Sequence, residues 1–321
     1  MVHVGDVALF VVAAGALIPL AWLIGEATEH VAEHTGPGIG GFLNASFGNA
    51  PELIIALLAV QQGLPNVVRG SIIGSVVSNL LLVLGLTMLA GSGELDRRSL
   101  LSQLALIGVA AAAFLVPSIP GWSGDRDRHS LFVASVPVAI LLLALYVATT
   151  VVGLRRHGAM HTPAASGGAW RMRTAVIVLA AAATATAFVS EALVSSLEGF
   201  GHALGLSEFF IAVVIVAIVG NAAEHGGAIV VARRGRTELA SEIAISSSAQ
   251  VAVFVAPAAA LLSIVGSHDL TLAFRPVELA TVALATLVVA LVVLDGRSTR
   301  REGIVLVTGY GGAVVAYALA G

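Results

Sequence analysis

The sequence predicts an all-α integral membrane protein of about ten transmembrane helices, arranged as two inverted five-helix repeats with broken helices at the midplane. Three observations point there. The 321 residues are 58% hydrophobic and 11% charged, with a mean hydropathy of +0.98, whereas soluble domains carry roughly a quarter charged residues. Apolar runs of about 20 residues, the length a helix needs to cross a bilayer, recur along the whole chain. Two of those runs, in opposite halves, carry the same short polar word: Gly48-Asn49-Ala50-Pro51-Glu52 and Gly220-Asn221-Ala222-Ala223-Glu224.

The runs fall near 7–30, 37–62, 66–90, 99–118, 131–153, 174–197, 206–232, 238–265, 274–294 and 303–320. The first has no basic segment before it and only Glu26-Ala27-Thr28-Glu29 after it, a poor cleavage site, so it reads as a retained membrane helix. The longest polar connection, 154–173, holds Arg155, Arg156, Ser166, Gly167 and Gly168 and reads as a cytoplasmic linker. It divides an N-terminal repeat, 1–153, from a C-terminal one, 174–321. Five spans on each side is an odd number, so the second half must insert upside-down relative to the first. Repeats of that kind place a transport site at their interface, near the bilayer midplane.

All 16 basic residues are arginine. With the N-terminus outside, only Arg69, Arg126, Arg128 and Arg275 fall on the external side, which leaves 16 − 4 = 12 in cytoplasmic loops. The positive-inside rule therefore favours both termini outside a bacterial inner membrane. The net charge of −3 gives no reason to expect a nucleic-acid partner. The absence of cysteine excludes disulfides, thiolate metal sites and cysteine nucleophiles.

A carboxylate near the bilayer centre costs about 3 kcal/mol on insertion scales, so it is rarely there without a task. Glu52 and Glu224 in matching contexts suggest one shared site for a cation or for protons. Each is followed by a second polar patch, Gly74-Ser75-Val76-Val77-Ser78-Asn79 in the first half and Ser246-Ser247-Ser248-Ala249-Gln250 in the second. These supply only oxygen ligands, as hard divalent ions such as calcium prefer. Gly48 and Asn49, like Gly220 and Asn221, tolerate non-helical geometry. Pro51 suits a helix's first turn, so each word reads as a break that frees backbone carbonyls. Taken alone, the amides and serines fit interhelical packing equally well.

Other features have plainer readings. His30-Val31-Ala32-Glu33-His34 matches the His-x-x-Glu-His pattern of inverted zinc peptidases. Beside Gly36 and Pro37, however, it reads better as a polar helix end. Glu26, Glu29 and Glu33 then form an access funnel for cations or protons, and Glu242 is a further access candidate. His225 either relays protons or simply forms a hydrogen bond. Asp125-Arg126-Asp127-Arg128-His129 reads as a solvated loop, and Glu191, Glu198, Glu208 and Glu278 as interfacial.

The two words, the second extending to His225, resemble the α-repeats of the calcium/proton antiporters, the cation exchanger branch of the calcium/cation antiporter superfamily. Ile72 to Gly85 and Ile24-Gly25-Glu26-Ala27-Thr28-Glu29 look like that branch too. Sodium/calcium exchangers usually carry a Gly-Thr-Ser-x-Pro-Glu word instead, so the Gly-Asn-Ala start favours protons as counter-ion. The resemblance places the α-repeats at about 37–91 and 206–265. It implies secondary active transport of calcium against protons by alternating access, with no cofactor and no enzyme activity. Its ion-binding set is Glu52, Glu224, Asn49, Asn221, Gly48, Gly220, Ser75, Ser78, Asn79, Ser247 and Gln250, with Glu52, Glu224 and His225 coupling protons. The partners it implies are calcium, protons and the lipid bilayer, and a homo-oligomer is compatible with it. Manganese or sodium in place of these ions, or a passive cation channel, are the alternatives. The chain departs from the family at Ser246-Ser247-Ser248-Ala249-Gln250, where Gly-Ser-Ala-Thr-Gln is common, and in its basic linker, which is usually acidic.

Overall fold

The computed structural model describes residues 4–157 and 170–320, and nearly all of them are helical. In chain order the helices are α1 (Val4–Phe47), α2 (Ala50–Gln61), α3 (Pro65–Ala90), α4 (Arg97–Gly121), α5 (His129–His157), α6 (Met172–Leu204), α7 (Glu208–Gly220), α8 (Ala222–Arg233), α9 (Thr237–Val265), α10 (Pro276–Val293) and α11 (Arg300–Ala320). Among the described residues, eight helices are long and apolar enough to cross a membrane. The count is nine if α7 and α8, bent by 56°, are one span.

Local chemistry sets most of these ends. Asp96 caps α4 by accepting hydrogen bonds from the Arg98 and Ser99 amides at 3.0 and 3.1 Å. Ser207 caps α7 through the Phe210 amide at 3.1 Å. Thr299 and Glu302 form a reciprocal box at the start of α11. Gly205, at φ +67°, closes α6 in a left-handed turn.

The first span, Gly5–Thr35, falls where the sequence predicts, although helical backbone runs on through Gly36 and Pro37 to Phe47. The expected second span, 37–62, is divided at Gly48-Asn49, leaving the 12-residue α2 as its remainder. The centre of the expected linker, 158–169, lies outside the described residues, and α5 reaches into the linker as far as His157.

Two helices form the core. Within their apolar windows α3 is 83% buried and α9 67%, against 22–39% for the other full-length spans. The α3 and α7 backbones meet at Gly74, where a Cβ would stand 2.0 Å from the Val213 carbonyl oxygen. Both core helices contain π turns, Ser78–Val83 in α3 and Val251–Val255 in α9, and α7 has a third at Ile211–Val216. At one end of the molecule a short antiparallel ribbon pairs Gly93 with Ser298 and Glu94 with Arg297. Gly91 packs there against Ala232 and Thr237, which puts the α8–α9 turn at the same end.

The opposite end holds a polar cluster in which Arg69 and Glu278 are buried, while Asp125, Asp127 and His129 are exposed, as the sequence predicts for that loop. Arg69 is 1% exposed. It donates to Asp127 Oδ1 at 2.7 Å, to Asn66 Oδ1 at 2.9 Å and to Thr271 Oγ1 at 2.9 Å. Burial and the neighbouring Arg69 guanidinium lower the Arg126 pKa from its ordinary value. Glu278, expected at the interface, is buried and accepts from the Arg275 amide. The cluster holds an extended, fully buried stretch from Leu270 to Phe274. The polar backbone of that stretch is served by Ser263, Ser135, Ser118 and Trp122.

Candidate functional site

Both polar words are helix breaks. Asn49 separates α1 from α2 with φ −95° and ψ 15°, and Asn221 separates α7 from α8 with φ −98° and ψ 8°. Neither pair is helical through the junction. Pro51 adds a second cause in the first break, because it has no N–H to offer the Phe47 carbonyl.

The breaks bring Glu52 and Glu224 to the wall of one cavity of about 460 Å³. Gly48, Gly220, Ser247 and Gln250 from the predicted set line it too, as do Glu26 and Glu29. With Val231 and Ile243 in its wall, the cavity extends from the breaks towards the α8–α9 turn. Glu224 accepts a hydrogen bond from the Ser247 hydroxyl. One oxygen of Glu52, Oε2, is buried with no hydrogen-bond partner. Two carboxylates, an amide, hydroxyls and exposed backbone at the breaks make an all-oxygen donor set, and that set fits a hard cation as cargo.

Behind this wall the amides tie the halves together. Asn49 Nδ2 donates to Gln250 Oε1 at 2.7 Å. Asn221 Nδ2 donates to Ser75 Oγ at 2.8 Å and to the Ala217 carbonyl at 2.9 Å. Asn79 Nδ2 reaches Ser247 Oγ at 3.1 Å and Asn221 Oδ1 at 3.4 Å. Asn49, Asn79, Asn221 and Ser75 therefore support the cavity wall. Ser78 does not join this network, since its hydroxyl turns back to the Ser75 carbonyl at 3.2 Å.

The remaining expected residues divide. Glu33 is not part of the cavity and engages His30 at 3.3 Å. Glu242 lines a separate cavity beside Gly93 and Arg236, so the structure does not join it to the Glu52–Glu224 path. His225 is buried, and its Nε2 has no hydrogen-bond partner among the described residues. In the His-x-x-Glu-His segment, His30 sits between Glu26 and Glu33, while His34 meets the Trp170 carbonyl at 2.7 Å. No group of three His, Cys, Asp or Glu side chains suited to a metal occurs among the described residues. Sequence reasoning passed over Trp22, which also lines the cavity, as do Gly25 and Ser246, which it named in longer stretches but left out of the ion-binding set. The spacing of Gly25 and Ser246 from residues already singled out could have found those two. Nothing in the sequence marked Trp22.

A bundle of membrane-crossing helices with two helix breaks, and two carboxylates meeting at those breaks, defines a multi-pass membrane transporter. The family described as sodium/calcium exchanger protein matches residues 6–154 and 174–318, and the chain belongs to that family. The Ca(2+)/H(+) antiporter ChaA of Bacillus subtilis is 37% identical, over 97% of this chain and 92% of its own. The vacuolar calcium ion transporter of Schizosaccharomyces pombe is 33% identical, over 94% and 77%. Among solved structures, native YfkE superposes with a TM-score of 0.84 at 36% identity, covering 99% of this chain and 94% of that one. An H+/Ca2+ exchanger CAX shares the fold, with a TM-score of 0.72 at 17% identity, covering 98% and 86%.

Proposed function

We propose that this protein exchanges calcium for protons across a bacterial inner membrane by alternating access, with Glu52 and Glu224 as ligands shared by both ions. The observation that carries the reading is the meeting of both glutamates on one cavity whose further wall holds Glu26 and Glu29. Its likeness to the Ca(2+)/H(+) antiporter ChaA of Bacillus subtilis supports the same reading.

The coupling follows from charge. Two carboxylates on one low-dielectric cavity repel each other, and burial penalises each charge further. One calcium relieves that cost, and so do protons, but not both together. The doubly charged empty site is then reluctant to reorient, while either loaded form is close to neutral, and exchange follows. Calcium prefers six to eight oxygens at about 2.3–2.6 Å. Besides the two glutamates, Gln250, Ser246 or Ser247, carbonyls freed at the breaks and water can complete that number. His225, next to Glu224, takes part in proton coupling.

Matching breaks at Asn49 and Asn221, and amide bonds running from each break to the other half, support two inverted repeats with the site near the midplane. With the arginine-rich end cytoplasmic, the cavity faces the cytoplasm and both termini lie outside.

The test is calcium flux in proteoliposomes under an imposed pH gradient, comparing wild type with Glu52→Gln and Glu224→Gln. Gradient-driven calcium flux that is lost in both variants is the expected result. Calcium flux indifferent to the gradient would make the protein a passive channel. Movement of manganese or sodium in place of calcium would keep the site and change its cargo. Normal transport by both variants would refute the shared-ligand mechanism.

A further inference from the structure

Glu52 and Glu224 are held differently, and the difference points to a site for a single structural water. The serine 23 positions after Glu224 is Ser247, which donates directly to its carboxylate. The serine 23 positions after Glu52 is Ser75 (75 − 52 = 23), and it makes no such bond. Its oxygen instead accepts from Asn221 Nδ2 at 2.8 Å. Glu52 and Ser75 both line a small void of about 10 Å³ next to the open cavity, which shares Glu52 and Gly220 with it. Ser71 also lines the void, and the rest of its wall is apolar apart from Gly220, with Ile72, Val216 and Val255 among its members.

A void of that size is about one water, and buried waters persist where two to four polar groups meet. Three meet here. Glu52 Oε2 is buried without a hydrogen-bond partner and can accept. The Ser75 hydroxyl has its proton free to donate, because the bond from Asn221 uses only its oxygen. Ser71 Oγ donates to the Val68 carbonyl at 3.0 Å and keeps its lone pairs to accept. The void is too poor in oxygens for calcium, which requires six or more.

We infer that one ordered water bridges Glu52 Oε2 to Ser75 and Ser71, supplying for Glu52 the anchor that Ser247 gives Glu224 directly. Ser71 is thereby a positioning residue for the calcium site. It lines the small void and not the open cavity that holds the proposed cargo site. In the second half the position equivalent to Ser71 is Ile243 (71 + 172 = 243, the offset that relates Glu52 to Glu224), so only the first half needs the bridge. The inference rests on the calcium reading of the preceding section.

Calcium binding to the purified full-length chain, measured by titration calorimetry, tests it with Ser71→Ala and Ser71→Val beside wild type. Ser71→Ala removes one partner of the water, and its calcium Kd is expected to rise ~2- to 10-fold, the range of one net hydrogen bond. Ser71→Val fills the void, expels the water and should weaken binding further, with both variants folding at wild-type melting temperature. An unchanged Kd in both variants overturns the bridge while leaving the exchange reading to the vesicle assay. A lower melting temperature with wild-type Kd also overturns it, since that is the behaviour of a packing residue. A wild type that binds no calcium overturns the exchange reading and this inference with it.

Discussion

Gly74 offers the sharpest test of how the fold supports the site. An alanine Cβ there would stand 2.0 Å from the Val213 carbonyl oxygen, 2.7 Å from Val213 C and 2.7 Å from Ala217 Cβ. Ordinary contact begins near 3.4 Å, so α3 and α7 must part by 3.4 − 2.0 = 1.4 Å along that direction. The obstacle is backbone, so no side-chain rotation relieves it. Overpacking of this kind costs about 1–3 kcal/mol, and occasionally more. The displacement also reaches the site, because Ala217 lies four residues before the Asn221 break. A shift of 1.4 Å on the 2.8 Å bond from Asn221 to Ser75 would take it beyond hydrogen-bonding distance. Gly74→Ala should therefore lower the melting temperature in detergent and cut calcium exchange in vesicles by at least about tenfold. Gly108→Ala, where nothing lies within 4 Å of the added methyl, is the matched control. A Gly74→Ala protein with the stability and exchange rate of that control would refute the reasoning.

Two further outcomes follow from the same contacts. Ser247→Ala removes the hydroxyl that holds Glu224, a bond to a charged group worth about 1.5–3 kcal/mol. The KM for calcium should rise by roughly 10-fold or more in flux assays, and the melting temperature should fall as well, because the bond is already made in the folded protein. Asp127→Ala removes the ion-pair partner of the buried Arg69, which keeps Asn66, Thr271 and the attraction of the buried Glu278. Breaking a buried pair costs about 3 kcal/mol, and the remaining Glu278 carboxylate holds the loss below that. Because this cluster lies at the end of the molecule opposite the cavity mouth, thermal unfolding should shift with little change in calcium KM.

How much of this was legible in the sequence depends on the scale of the determining force. The polar words at Gly48–Glu52 and Gly220–Glu224 stood out because a carboxylate inside a bilayer-length apolar run is costly, and the breaks came with them through Asn and Pro51. The amides and serines announced themselves as polar, but their partners did not. That Asn49 would meet Gln250 and Asn221 would meet Ser75 depends on how α3 and α9 cross, and no spacing encodes that. In α1 the apolar span ends at Thr35, just before Gly36 and Pro37, and only the run of helical backbone on to Phe47 was not legible. Arg69 and Glu278 misled for another reason. Charges near helix ends usually face water, and here Asn66, Thr271 and the extended Leu270–Phe274 segment give them a buried set of partners instead.

The cross-bonding of the breaks constrains how transport can proceed. Asn49, at the first break, is fastened to Gln250 on α9, and Asn221, at the second, to Ser75 on α3. Each break is thus anchored on the core helix of the other half. Ser247 completes the link, since it donates to Glu224 while accepting from Asn79 of α3. A cation or a proton on Glu224 would draw electron density from the carboxylate and weaken it as an acceptor from Ser247. On the proposed mechanism either cargo thus loosens the tie between α8, α9 and α3, whereas the doubly charged empty site keeps it at full strength. Both loaded forms would then reorient more readily than the empty one, which strict exchange requires if neither ion is to slip across unaccompanied.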